Sequence, residues 1–358
     1  MKAHEPGNSP VRGQTHSALK GGNVKFVRRY LIPRLIQYVL VNILGITMIF
    51  ILPRLMPNGP VEKIVAQIQT QGGNIDPKAT EATIKAMKEL YGLDQPLLTQ
   101  YVTFWRRLFS LDFGPSLVSF PVPVTTLIRQ SLPWTFGLLF TSSVLIFILG
   151  NLSGGLAGHF RRNRLLKAVD GVFMFLAPIP NYIVALLLII FFAYILPIFP
   201  VGGGYTIGAP IGFTWVFIKD VLSHAFLPAL SIIVLGVAGT HQIMRLIVQG
   251  VNEEDYVHYA QIGAVKEGTV FSRYVMRNAT LPQITRFAMG FSAIFSGALI
   301  TEVVFAYPGI GFLSYHAILS SDYNLLMGVT TLSIITLTTS TLLMDLLNPL
   351  FDPRIRLT

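Results

Sequence analysis

The sequence predicts an all-α integral membrane protein of six transmembrane helices, both termini inside, with a large external segment between helices 1 and 2. Three observations carry the prediction. Hydrophobic residues make up 52% of the chain and charged ones 12%, with a mean hydropathy of +0.59, whereas a soluble domain carries about 25% charged residues. Six stretches reach the roughly 20 apolar residues that a hydrocarbon core requires: Leu35–Met56, Trp134–Ala157, Gly171–Leu196, His224–Ile247, Ile284–Phe305 and Leu325–Leu347. The basic residues, finally, are sorted between alternate connections, as cytoplasmic loops require.

That sorting sets the orientation. Arg28, Arg29 and Arg34 precede the first span, and Arg161, Arg162, Arg164 and Lys167 separate the second from the third. Lys266, Arg273, Arg277 and Arg286 follow the fourth, and Arg354 and Arg356 close the chain, while the two short external loops hold only Lys219. The net charge of +10 is therefore topological and forms no patch for nucleic acid. The polar, basic first residues lack the apolar core and small-residue cleavage site of a signal peptide, so the first span is expected to stay as an anchor.

The elements follow in order. Residues 1–34 are a cytoplasmic basic tail and 35–56 the first helix. Residues 57–133 form an external amphipathic segment, 134–347 a core carrying helices 2–6, 248–283 a cytoplasmic loop within that core, and 348–358 a cytoplasmic tail. In the external segment a helix is expected from Asp76 as cap and Pro77 at its first position, with Ile84, Met87 and Tyr91 on one face and Gly92 as stop; Glu81 and Lys85 are spaced to pair. The aromatic and basic stretch that ends the segment suits a layer on the outer membrane surface or a floor for an extracytoplasmic partner. Pro178 and Pro180 in span three and Pro228 in span four predict kinks, which a bilayer tolerates where neighbouring helices or a polar cavity repair the lost hydrogen bonds.

The loop after span four is the most informative stretch. Asp255 is placed to cap a short helix in which Tyr256, Tyr259, Ala260 and Gly263 recur at helical spacing. Gly268 punctuates it, Thr269 can cap a second, basic helix, and Pro282 closes the loop. After span five, Tyr307, Pro308, Gly309 and Gly311 mark a turn into a short re-entrant or interfacial helix.

Catalytic chemistry is missing. No G-x-x-x-x-G-K-[ST] phosphate loop, H-E-x-x-H or G-x-S-x-G occurs, cysteine is absent, and the seven histidines show no metal-ligand spacing. The charges inside or at the edges of spans are Arg54, His241, Arg245, Glu302 and Asp345. Arg54, Arg245 and Asp345 suit snorkelling or interhelical pairs, His241 a packing or pore-lining role, and Glu302 an external gate, a subunit contact or local packing.

Motifs running almost the whole chain after residue 26 carry a family resemblance. They include FVRRYLIPRLIQ, LPRLMPNGP, YGLDQPLLTQY, SLPWT, GLAGHFRR, PIPNYIVALLL, HAFLPALSI, EVVFAYPGIG and LNPLFDPRIR. The loop resembles the coupling loop of ATP-binding-cassette importer permeases of the dipeptide/oligopeptide branch, which reads D-Y-V-x-x-A-x-x-x-G and ends R-N-A-x-L-P. Asp255, Tyr256, Val257 and Ala260 match its start, and Arg277, Asn278, Ala279, Leu281 and Pro282 its end. Ala264 stands where the pattern has glycine, so either Gly263 makes the turn or the helix runs on.

The resemblance implies a non-catalytic permease subunit in a prokaryotic inner membrane, paired with a second homologous permease. Two ATPase subunits carrying ATP and Mg would bind below, a solute-binding protein would deliver cargo from outside, and this chain itself would hold no cofactor. The coupling contact would comprise Asp255, Tyr256, Val257, Ala260, Gly263, Ala264, Lys266, Glu267 and Gly268, and an external gate Glu302, Tyr307, Pro308, Gly309 and Gly311. Peptides are the implied cargo, with oligosaccharides as the alternative in the same branch. A secondary transporter would need inverted repeats and midplane coupling acids, and a membrane-embedded enzyme a convergent cluster of histidines or carboxylates; the sequence displays neither.

Overall fold

The computed structural model describes residues 30–55, 82, 84–86, 88–89, 94–291, 294 and 298–351, with backbone alone at 291 and 347–351. Of the helix expected from Asp76 to Gly92, residues 82, 84–86 and 88–89 are described and are helical; Asp76, Pro77, Glu81, Met87, Tyr91 and Gly92, the basic residues of the first 29 positions, and the closing residues 352–358 lie outside the described residues.

Among the described residues every regular element is helical. Helix α1 (Ile32–Ile51) ends in a 3-10 turn, and α2 (Leu97–Phe109) is the amphipathic helix that returns along it. Two long helices follow, α3 (Val124–His159) and, after α4 (Arg164–Leu176) and α5 (Asn181–Ile189, extended by a π-helical turn Ile190–Ile195), α6 (Trp215–Asn252). A short α7 (Asp255–Ile262) leads into α8 (Arg277–Phe291), then α9 (Leu299–Val304), α10 (Ile310–Leu319) and α11 (Tyr323–Phe351). Four of these, α1, α3, α6 and α11, are long and apolar enough to cross a membrane, or five spans when α4 and α5 are counted as one bent crossing. The stretch Ile284–Phe305 falls on α8, on α9 and on intervening residues that, Ile294 and Ala298 apart, lie outside the described residues.

The axis of the fold is the pair α3 and α6, which share the largest interface between elements. Glycine makes that contact possible. A methyl group on Gly150 would lie 2.6 Å from Thr240 Cβ, one on Gly154 would overlap the His241 backbone, and one on Gly158 would lie 2.7 Å from the Arg245 carbonyl oxygen. The spacing of four places all three on one face, so the backbones close on each other where side chains would hold them apart. On the flank, α1 packs along α11, where Asn42 donates to Thr338 Oγ1 at 2.9 Å and Tyr38 bonds Thr339 at 3.0 Å. Arg34 meets Asp345 at 3.1 Å, one of the interhelical pairs expected from edge charges.

Three helices depart from their expected forms. Helices α3 and α6 outrun the apolar stretches Trp134–Ala157 and His224–Ile247 at both ends. The added turns are amphipathic, and helical hydrogen bonding continues where hydropathy falls. At about 1.5 Å per residue, α3 is about 54 Å long and overshoots a hydrocarbon core of about 30 Å. Span three is more than kinked: α4 and α5 meet at 103°. Pro178 and Pro180 remove two amide donors within three residues, and Pro180 takes an extended conformation (φ −61°, ψ 139°) as the residue before α5. The single Pro228, by contrast, is carried inside a continuous α6.

Candidate functional site

Two groups of candidate residues sit at opposite ends of α6. One end, around Leu227, packs with Leu138, Phe305 and Tyr307; the other, around Met244 and Val248, packs with Val257, Ala260, Val270, Val275 and Ala279. Leu227 and Met244 are separated by about 26 Å of helix, close to the thickness of a hydrocarbon core.

At the second end, α7 is too short to hold its shape alone. Val257 and Ala260 fasten it to α6 and to the π-helical turn Val270–Met276. Full burial of the valine contributes about 1.5–3 kcal/mol. Asn278 donates from Nδ2 to the Tyr256 hydroxyl at 3.0 Å, so the two ends of the loop motif touch. With one face anchored, the other projects outward: Tyr259 is 71% and Ile262 72% exposed, and Gly263, Ala264, Lys266, Glu267 and Gly268 continue the exposed edge.

The helix ends in a Schellman turn. The Val265 amide donates to the Ala260 carbonyl and the Ala264 amide to the Gln261 carbonyl, both at 3.1 Å. That motif needs a left-handed residue just past the helix, usually glycine. Here Ala264 takes it, with φ +55°, while Gly263 keeps an ordinary φ of −71°. Of the two expectations, a turn shifted to Gly263 or a longer helix, neither is seen: alanine adopts the glycine conformation in place.

Other local expectations are corrected in the same region. Glu254 precedes α7 as its cap residue and Asp255 is the first helical residue, with no side-chain cap bond. Asp255 still favours the helix through its charge at the positive end of the dipole. Thr269 caps nothing; Lys266 precedes the next turn, and residues from Glu267 run through the π-helical turn into α8. Gly268 is therefore inside a helical turn, and Pro282 lies within α8. Tyr256, Tyr259, Ala260 and Gly263 do not share a face, because Ala260 turns inward.

At the first end, Glu302 is fully buried. Its carboxylate accepts from Thr135 Oγ1 at 2.8 Å and from the amides of Gly311 at 2.6 Å and Phe312 at 3.1 Å. Thr135 Oγ1 in turn accepts from the Ile310 amide at 2.7 Å. The first three amides of α10 are thereby satisfied by two side chains from α3 and α9, with an anion at the helix's positive end. Gly309 and Gly311 leave the room: a methyl group on either would press on the Glu302 carboxylate. Ala306 makes the turn with φ +46°, and Tyr307 is buried against Trp134, edge-on at 5.7 Å between ring centres. Burial, then the Glu302 charge, push the Tyr307 phenol up to about 12. Glu302 thus faces this subunit's own interior.

Sequence reasoning missed two carboxylates. Asp170 on α4 accepts from Arg245 Nη1 at 2.6 Å to each oxygen and lies 3.2 Å from His241 Nε2, whose Nδ1 is 3.1 Å from Ser153. It stands one residue ahead of the expected span start at Gly171, and α4 and α6 are needed to bring it to His241. Asp322 is buried, caps α11 through the Leu325 amide at 3.0 Å, and accepts from the Ser116 hydroxyl and the Val118 amide of the external segment. An aspartate three residues ahead of an apolar run was its legible signal.

Residues 147–357, which include most of the α3–α6 pair and both candidate ends, match the family described as binding-protein-dependent transport system inner membrane component. The chain belongs to that family. This inner membrane component is similar to the oligopeptide transport system permease protein AppB of Bacillus subtilis (strain 168), at 29% identity over 87% of this chain and 95% of the relative. It is similar to the dipeptide transport system permease protein DppB of Lactococcus lactis subsp. cremoris (strain MG1363), at 26% over 92% and 99%. DppB of Bacillus subtilis (strain 168) matches at 29% over 92% and 98%. The protein is accordingly a multi-pass inner-membrane permease, a transport subunit and not a catalyst, and one component of a multi-subunit system.

Proposed function

We propose that this permease is one half of the translocation pathway of an ATP-driven peptide importer, working by alternating access. It crosses the membrane six times with both termini inside: α1, α3, the bent α4–α5 pair, α6, α8 with α9, and α11. The α7 end is then cytoplasmic, consistent with the arginines of the α3–α4 connection and of the loop before α8, and the Glu302 end is external.

The observation that carries the reading is the two-faced α7. Its inner face is locked to α6 by Val257 and Ala260, and its outer face offers Tyr259 and Ile262 to water on a basic, cytoplasmic loop. An apolar pair at i and i+3 on a helix so firmly held suits insertion into a groove of a soluble partner. Separate ATPase subunits, which bind ATP and Mg, are that partner; this chain holds no cofactor. ATP-driven closure of the ATPase pair would push α7, and the Val257–Met244 packing would pass the motion to α6. Near-complete reversal of a two-state equilibrium needs about 5.5 kcal/mol, within reach of nucleotide binding. A second homologous permease completes the pathway, and an extracytoplasmic solute-binding protein delivers the peptide at the outer face. The relatives named for oligopeptide and dipeptide transport support peptides as cargo.

Tyr259→Glu and Ile262→Glu test the docking role in membrane vesicles. Both should abolish ATP-dependent peptide uptake while leaving the amount of inserted permease unchanged. Normal uptake in either variant would refute the assignment of α7.

A further inference from the structure

Three arginines in or beside the apolar helices are held by partners. Arg245 grips Asp170, Arg34 meets Asp345, and Arg54 is held by the Gln100 side chain and the Phe50 carbonyl oxygen. Arg286 has no ion pair or hydrogen bond among the described residues. From its place in the loop sequence it counts as one more cytoplasmic charge, but the structure puts it on α8 about 14 Å beyond Arg277. There it lines a pocket of about 170 Å³ between α3, α6 and α8, together with Ser143, Phe147, Thr240, Gln283 and Phe287. Counted from the cytoplasmic ends of the apolar stretches, Thr240 is about 10 Å of helix from Ile247 and Ser143 about 21 Å from Ala157, so the pocket lies within a hydrocarbon core about 30 Å thick.

Arg286 is exposed on this subunit, two residues past the expected span start at Ile284, and ionisable groups within a span face a bundle interior or a watered cavity on a substrate path. A second group points the same way. Gln283 is only 3% exposed, yet its Nε2 has no hydrogen-bond partner among the described residues. A buried amide left unpaired is destabilising and calls for an acceptor. One face of α8 therefore presents a guanidinium and an amide donor, and the Ser143 and Thr240 hydroxyls stand on the facing helices. All these groups can donate, and no carboxylate lines the pocket. Phe147 and Phe287, 4.8 Å apart between ring centres, give it an apolar wall.

We propose that Gln283 and Arg286 form a carboxylate subsite in the translocation pathway, which takes the C-terminal carboxylate of a peptide in passage. The inference rests on the peptide-importer reading and adds to it a named recognition group. A guanidinium fork with neighbouring donors matches a planar carboxylate. The donors gather at one point beside the Phe147–Phe287 wall, so the site holds one end of the cargo.

The complete transporter, with its second permease, ATPases and binding protein, is reconstituted in vesicles and supplied with one peptide as the free acid or the C-terminal amide. Arg286→Gln should lower uptake of the free acid about tenfold or more and leave uptake of the amide unchanged, while Arg286→Lys retains most of the free-acid uptake. Parallel loss of both peptides, which an ion pair to the second permease would produce, overturns the subsite, and so does equal retention of both. Independently, Phe287→p-benzoylphenylalanine should photocrosslink labelled free-acid peptide during turnover and lose the adduct when combined with Arg286→Gln; an undiminished adduct overturns the proposal. If the unmodified complex takes up no peptide with ATP, the importer reading itself fails and the subsite with it. Uptake without the predicted discrimination removes the subsite alone.

Discussion

Replacing Ala264 with glycine should tighten the cytoplasmic loop. Ala264 closes the Schellman turn of α7 at φ +55°, a conformation that costs an L-residue with a Cβ about 1–2 kcal/mol. Glycine escapes that cost but loses about 0.5–1 kcal/mol more backbone entropy on ordering. The balance favours Ala264→Gly by about 0.5–1 kcal/mol, which lowers the population of the opened turn about two- to fivefold. The amides of residues 264 and 265 report that opening directly, since they donate to Gln261 and Ala260. Hydrogen exchange followed by mass spectrometry on the purified permease should show both amides slowed by that factor. Ala264→Val should speed them, because a β-branched residue fits φ > 0 worse than alanine does. Unchanged or faster exchange in Ala264→Gly would refute the account of this turn.

Two further substitutions test the packing that aligns the ends. Gly154→Ala drives a methyl into the His241 backbone, which no rotamer change can relieve, and should destabilise the α3–α6 pair by about 1–3 kcal/mol in a detergent unfolding titration; a neutral result would show that the helices are not so close. Glu302→Ala strands the Gly311 and Phe312 amides and should cost about 2–4 kcal/mol in the same titration, with Glu302→Gln costing less because one acceptor oxygen survives. If Glu302→Gln proved as damaging as alanine, the carboxylate's charge and not its hydrogen bonds would be the stabilising element.

Much of this architecture is legible in the residues because a bilayer imposes its own length rule. The apolar cores of α1, α3, α6 and α11 stand out for that reason. Their ends do not, since turns such as Val124–Pro133 and Trp215–Ser223 stay helical after hydropathy has dropped. Pro178 and Pro180 announce a disturbance, but whether two prolines kink or break a helix depends on what packs around them. The glycines at 150, 154 and 158 were readable as a stripe at four-residue spacing, yet their partner on α6 is a tertiary fact.

The candidate ends show the same division. Val257 and Ala260 lie in the loop motif, but only the fold separates them, as anchors, from Tyr259 and Ile262, as the outer face. Ala264 shows why local rules fail at such positions: the anchored helix outweighs the residue's own backbone preference and holds it where glycine would sit unstrained. Asp170 fell one residue outside an apolar stretch, and Arg286 blended into a run of loop charges. Both acquire meaning only when α4 and α8 are laid against α6.

The proposed function makes this permease part of an assembly driven by separate ATPases. Its most direct test is recovery of a tagged copy from native membranes in mild detergent after chemical crosslinking, with mass spectrometry and an ATPase assay on the product. A second permease, ATPase chains, a solute-binding protein and ATP hydrolysis in the recovered complex are the predicted result. A chain recovered alone and without ATPase activity, from membranes that still take up peptide when ATP is depleted, would contradict it.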